Sequence, residues 1–171
     1  MSKKKLIKRL SWYYPMEKMH AFLTFPIIAI YITFTNPISN ILFLLFGLAI
    51  CISILFQGQL YWKLKLCSLQ GKSFEQQKNL TFFRKSRNVN LFMILLIPAV
   101  FLIQLFLNNW TLTLNKLTLW GFMANTFGIL EHVNYYYKQL MIDNASDLSY
   151  ILRNRKLKKA SLAKDLSENS I

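Results

Sequence analysis

The chain has 171 residues, of which 54% are hydrophobic and only 16% charged, with 21 Lys+Arg against 7 Asp+Glu and a formal net charge of +14. An ordinary globular domain is about one quarter charged, and the apolar content excludes a disordered chain, while two cysteines, Cys51 and Cys67, exclude a disulfide scaffold. The charges crowd into a few runs and leave four stretches almost free of them, which predicts an all-α, polytopic membrane protein with four transmembrane helices and cytoplasmic helical extensions.

Residues 1–18 form a basic segment containing Lys3, Lys4, Lys5, Lys8 and Arg9. A basic run before a greasy one is also the form of a secretory signal, but no small-residue cleavage pattern follows and three more apolar stretches do, so the segment is expected to lead into a permanent span. That first span covers 19–35, with Pro26 near its start, and stops at the turn signal Asn36-Pro37. It is short, a length that bilayer thinning and snorkelling accommodate. The second span, 38–56, carries no charge.

Residues 57–90 are predicted to be a cytoplasmic helical hairpin. The second helix continues through Leu60, Leu64 and Cys67 to a stop at Gly71, and Ser73 with Gln76 reads as a capping box that starts the return helix. Its excess of basic residues over the single Glu75 favours anionic headgroups, although orienting the chain is reason enough for it. The third span is 91–107, with a kink expected at Pro98, and the fourth runs from about 117 to 137, closing a membrane domain of 19–142.

The tail, 143–171, opens with helix-stop and helix-cap residues Asp143, Asn144, Ser146 and Asp147, continues with an amphipathic start at Leu148, Ile151 and Leu152, and then turns basic. It is expected to lie on the membrane, cover the hairpin or bind a partner. The stretch 160–166 has the small-and-apolar pattern of the first helix of a helix-turn-helix, but no recognition helix follows, so no nucleic-acid partner is expected.

Orientation follows from the basic residues. The turn 36–40 has none and the turn 108–116 only Lys116, so the remaining 20 of 21 fall on the opposite side. The positive-inside rule makes that side cytoplasmic, with both termini and the middle segment. Trp12, Tyr61, Trp62 and Tyr135 then fall at the inner headgroup level and Trp110 at the outer. The excess of Lys over Arg and the abundance of Asn and Ile hint at an AT-rich genome, hence a bacterial cell membrane.

One constellation carries chemical content. Glu131 is the only acid inside a predicted span, roughly 21 Å in from Leu117 at 1.5 Å per residue. Unless paired, neutralised or hydrated, an ionisable group at that depth costs a few kcal/mol and is by default a functional candidate. Gly121, Asn125, Gly128, His132 and Tyr135 share one helix stripe, a packing seam whose glycines admit a close neighbour, and Glu131 and His132 straddle it. His20 and Glu17 from the first helix, Gln57 and Gln59 from the second, Asn88 and Asn90 from the third and Asn134 from the fourth would complete a polar layer near the inner surface.

The structural account of this layer is that its side chains find water, headgroups or one another. The functional account makes Glu131 or His132 a general base. It lacks a nucleophile with a partner, since Thr24, Cys51 and Ser53 are isolated small residues. Adjacent Glu131 and His132 do not have the ligand spacing of a metal site, and haem held by His20 and His132 rests only on their shared side of the membrane. Neither metal nor cofactor is expected. Transport would require an ionisable group nearer the midplane.

The leading expectation is therefore a non-enzymatic accessory or scaffolding membrane protein that contacts anionic lipid, a protein partner or a second copy of itself. The alternative is a small intramembrane enzyme or cofactor protein centred on Glu131 and His132.

Overall fold

The computed structural model describes residues 3–111, 115–142 and 145–171. Asp143 and Asn144, expected to stop a helix, lie outside the described residues, as does the side chain of Ser146. Among the described residues every regular element is a helix, and the one β-bridge joins Lys138 to Lys159.

The elements are α1 (Lys3–Met19), a π-helical turn (His20–Thr24), α2 (Phe25–Thr35), α3 (Ile38–Leu69), α4 (Gln76–Leu107), α5 (Lys116–Tyr136), α6 (Ala145–Asn154) and α7 (Ser161–Glu168). Pro26 explains the π turn. A proline at the second position of α2 has no N–H for the carbonyl four residues back and its ring crowds that carbonyl. The backbone widens by one residue instead, and the Phe25 N–H reaches the His20 carbonyl. The chain therefore runs on as one rod from Lys3 to Thr35, rather than as a separate segment before a short span.

Three helices are long and apolar enough to cross a membrane: Lys3–Thr35, Ile38–Leu69 and Gln76–Leu107. The α5 helix is not among them, and it carries Asn125, Glu131, His132 and Asn134 along its length. The expected hairpin has its turn at Gly71, whose φ of +72° is the left-handed geometry that glycine adopts at least cost. The capping box does not form. The return helix begins at Gln76 behind Glu75, with no side-chain cap, and continues through Pro98 to Leu107 without a break.

The α3 helix is the central member and packs most extensively on α5. The reason is written in glycines. A Cβ at Gly121 would meet the Phe43 ring, one at Gly128 would meet Ile50, and one at Gly47 would meet the backbone and side chain of Asn125. Removing those side chains brings α3 and α5 together in the same direction, with the register 43:121, 47:125 and 50:128. Asn125 fastens the seam by donating to the carbonyls of Phe43 and Gly121, both at 2.9 Å, and Gln104 of α4 accepts the Phe43 N–H at 2.7 Å.

The outer faces are inverted relative to a water-soluble fold. No residue of α2 is buried, and Phe34 is 86% exposed; on α4, Leu95 is 75% exposed. Large apolar side chains turned outward along whole helices are at home in hydrocarbon.

The tail covers the hairpin. Leu162 of α7 is buried, and Asp165 accepts from the Tyr61 hydroxyl at 2.8 Å while pairing with Lys65 at 2.7 Å. The bridge at Lys138 and Lys159, in which Gln139 N–H donates to the Lys158 carbonyl and Ala160 N–H to that of Tyr137, ties α7 to the end of α5.

Candidate functional site

The polar residues near one end of the bundle divide into two clusters on different faces of α5. The first is built on a buried pair of amides. Gln57 and Asn90 exchange amide hydrogen bonds across α3 and α4, Gln57 Nε2 to Asn90 Oδ1 at 3.0 Å and Asn90 Nδ2 to Gln57 Oε1 at 2.7 Å. The Tyr136 hydroxyl donates to the same Gln57 Oε1 at 2.7 Å. In a medium without water such a reciprocal pair satisfies groups that would otherwise be orphaned.

His132 belongs to this side. It is 2% exposed, packs against Tyr136 with ring centroids 5.0 Å apart, and neither ring nitrogen has a hydrogen-bond partner. Gln59 is buried as well, while Asn88 is exposed and belongs to neither cluster.

The second cluster surrounds a cavity of about 280 Å³ between α1, α3 and α5, floored by the tail through Ser161 and Leu162. Glu17, His20, Glu131, Asn134 and Tyr135 all reach its wall. Its geometry begins with a stripe on α1: Arg9, Tyr13, Glu17 and His20 follow a spacing of four, four and three, so one helix face presents them all. Phe127, Glu131 and Tyr135 do the same on α5, and Leu55 and Trp62 on α3. Gly58 makes room, since a Cβ there would overlap the Glu17 carboxylate and the Tyr135 hydroxyl.

Glu17 is held in place. Its Oε1 accepts from Trp62 Nε1 at 2.8 Å and from the Tyr135 hydroxyl, and Trp62 Nε1 also points at the Tyr135 oxygen at 3.1 Å. Glu131 is held far more loosely, by a single long contact of 3.4 Å from Asn134 Nδ2. Neither carboxylate takes part in an ion pair among the described residues, where Lys65, Lys78, Lys158 and Lys164 pair with Asp165, Glu75, Asp147 and Glu168. His20 contacts Thr24 Oγ1 at 3.2 Å within the π turn.

Glu131 and His132 are thus adjacent in sequence and separated in space: the first faces the cavity and the second does not. His20 lies on the cavity wall as well, so the two histidines do not meet across a common space as haem ligands would. No group of three metal-ligating side chains occurs among the described residues. Gly121, Asn125 and Gly128 lie in the α3–α5 seam and position Glu131 rather than forming the site.

Arg9, Tyr13 and Trp62 also reach this wall and are not among the site residues expected from the sequence. The four-four-three stripe on α1 was the available signal. Comparison with family models, with curated proteins and with solved structures found no match, so the chemistry of this site rests on its own geometry.

Proposed function

We propose that the chain is a four-span membrane protein, with α5 as the fourth span and both termini cytoplasmic, that serves without catalysis as an accessory protein gathering anionic lipid at its cytoplasmic face. One observation carries this reading. Lys3, Lys4, Lys5, Lys63, Lys72 and Lys85 are all exposed and outside every ion pair among the described residues. Each basic residue near an anionic leaflet adds about 1 kcal/mol of attraction.

The test is the lipid carried out of a mixed bilayer. Detergent-purified protein should be enriched in phosphatidylglycerol over the bulk membrane, and replacing Lys3, Lys4 and Lys5 by Gln should reduce the enrichment. Bulk composition around the wild-type protein would refute the reading. The cavity supports a second reading, a small intramembrane enzyme in which Glu131 acts as general base, because that carboxylate faces open space with only one weak partner.

A further inference from the structure

The carboxylate cavity has an apolar neighbour. Between α2, α3 and α5 lies a second cavity of about 590 Å³, walled by Phe25, Ile28, Leu44, Leu48, Trp120 and Phe127 among others. Phe127 lines both cavities, and it stacks on Phe25 with centroids 6.3 Å apart at 28°. A chamber with polar groups thus adjoins an apolar one, and a pair of stacked rings marks their junction.

The polar chamber has a definite chemistry. It presents two carboxylates, Glu17 and Glu131, that no cation of the described residues neutralises. On the same wall the Trp62 ring contacts those of Tyr13 and Tyr135, with Tyr13 and Trp62 centroids 6.3 Å apart and Trp62 and Tyr135 centroids 6.1 Å apart. Carboxylate and aromatic faces together form the usual setting for an ammonium group, through charge and through the ring quadrupole.

We propose that the two cavities together form a binding site for one lipid with an ammonium headgroup, phosphatidylethanolamine being the type. Its ammonium sits between Glu131 and Glu17, and an acyl chain enters the apolar cavity past Phe127. The loosely held Glu131 is the adjustable contact and the anchored Glu17 the fixed one. This goes beyond the surface lysines, which are non-selective within anionic lipids and lie outside the cavity. It shares with that reading only the bilayer setting.

The experiment uses the full chain purified in mild detergent from bilayers of phosphatidylethanolamine and phosphatidylglycerol, with retained lipid identified by native mass spectrometry. One phosphatidylethanolamine per chain should survive delipidation, favoured about tenfold over phosphatidylglycerol in the wash-resistant fraction. Glu131→Gln should abolish that preference, whereas the Lys3, Lys4 and Lys5 substitutions should leave it intact, so the loss of either lipid reports on a different site. Met123→Trp, which fills the apolar cavity and leaves both carboxylates in place, should release the lipid too, and guards against misfolding of the first variant.

Equal retention of the two lipids would overturn the proposal, as would a Glu131→Gln protein that keeps its phosphatidylethanolamine. Displacement of the lipid by soluble phosphoethanolamine at equal concentration would show a headgroup-only site and would overturn it equally.

Discussion

Gly58 shows how much a single missing side chain decides. Its position on α3 leaves the volume in which the Glu17 carboxylate and the Tyr135 hydroxyl meet. Leucine there would have to displace a hydrogen-bonded pair flanked by Trp62. Gly58→Leu is expected to destabilise the folded protein by about 1–3 kcal/mol, the usual cost of overpacking, seen as a lowered thermal midpoint in detergent. Gly71→Leu, in a turn with nothing within 4 Å, should lose only the backbone preference for positive φ.

The Gln57–Asn90 pair makes a different prediction at the same scale. Asn90→Leu removes the reciprocal amide and leaves Gln57 only Ser53 Oγ and the Tyr136 hydroxyl, whereas the Gln57→Leu, Asn90→Leu double variant removes both amides. The double variant should be less destabilised than the sum of the singles by about 0.6–1.7 kcal/mol, as measured by a double-mutant cycle. Additive effects would mean that the two amides are independently solvated.

At the scale of elements, the tail helices are held to the bundle by two acids. Asp165 joins Tyr61 and Lys65 of α3, and Asp147 joins Lys158 and Gln139 at 2.6 and 3.0 Å. Asp165→Ala should release α7, speeding tryptic cleavage at Lys164 within it while cleavage within α3 stays slow; unchanged cleavage would show that Leu162 and the Arg84 and Gln76 contacts hold the helix without Asp165. Burial acts to raise the Asp147 carboxyl, but the hydrogen bond and charge of Lys158, aided by Gln139 and Arg9, outweigh it and hold the group below its ordinary value of 3.8.

The sign of the consequence follows directly. A carboxyl lowered in the folded state contributes stability that is complete above the unfolded value and is lost as pH falls through the folded one. A carboxyl titration by NMR should place the Asp147 midpoint below 3.8, and Lys158→Gln should move it upward. The mutual placement of these groups was not legible in the sequence, where Asp147 and Lys158 stand eleven residues apart across a helix and a connection. Only the short antiparallel bridge between 138 and 159 folds them together.

For the whole molecule, the decisive test is whether α5 crosses. If it does, a cysteine at Asn109, before α5, should react with an impermeant maleimide from outside intact cells, and one at Lys156, after α5, only once the cells are opened. The native Cys51 and Cys67 would be replaced first. Labelling of both from one side would remove the four-span arrangement. The sequence by itself determined the helical class and the presence of helices long and apolar enough to cross a membrane, because uninterrupted apolar runs of that length have few other ways to satisfy their backbone.

The glycine spacing on α5 also announced a close neighbour, though not that α3 would be the one. What only the tertiary structure decided is which polar groups share a space. Adjacent Glu131 and His132 leave their helix about 100° apart, enough to send one to the cavity and the other into a dry contact with Tyr136. Which of those faces meets Glu17 depends on the rotation of α5 against α3 at the glycine seam, and periodicity along a single helix fixes a face without fixing what lies opposite it.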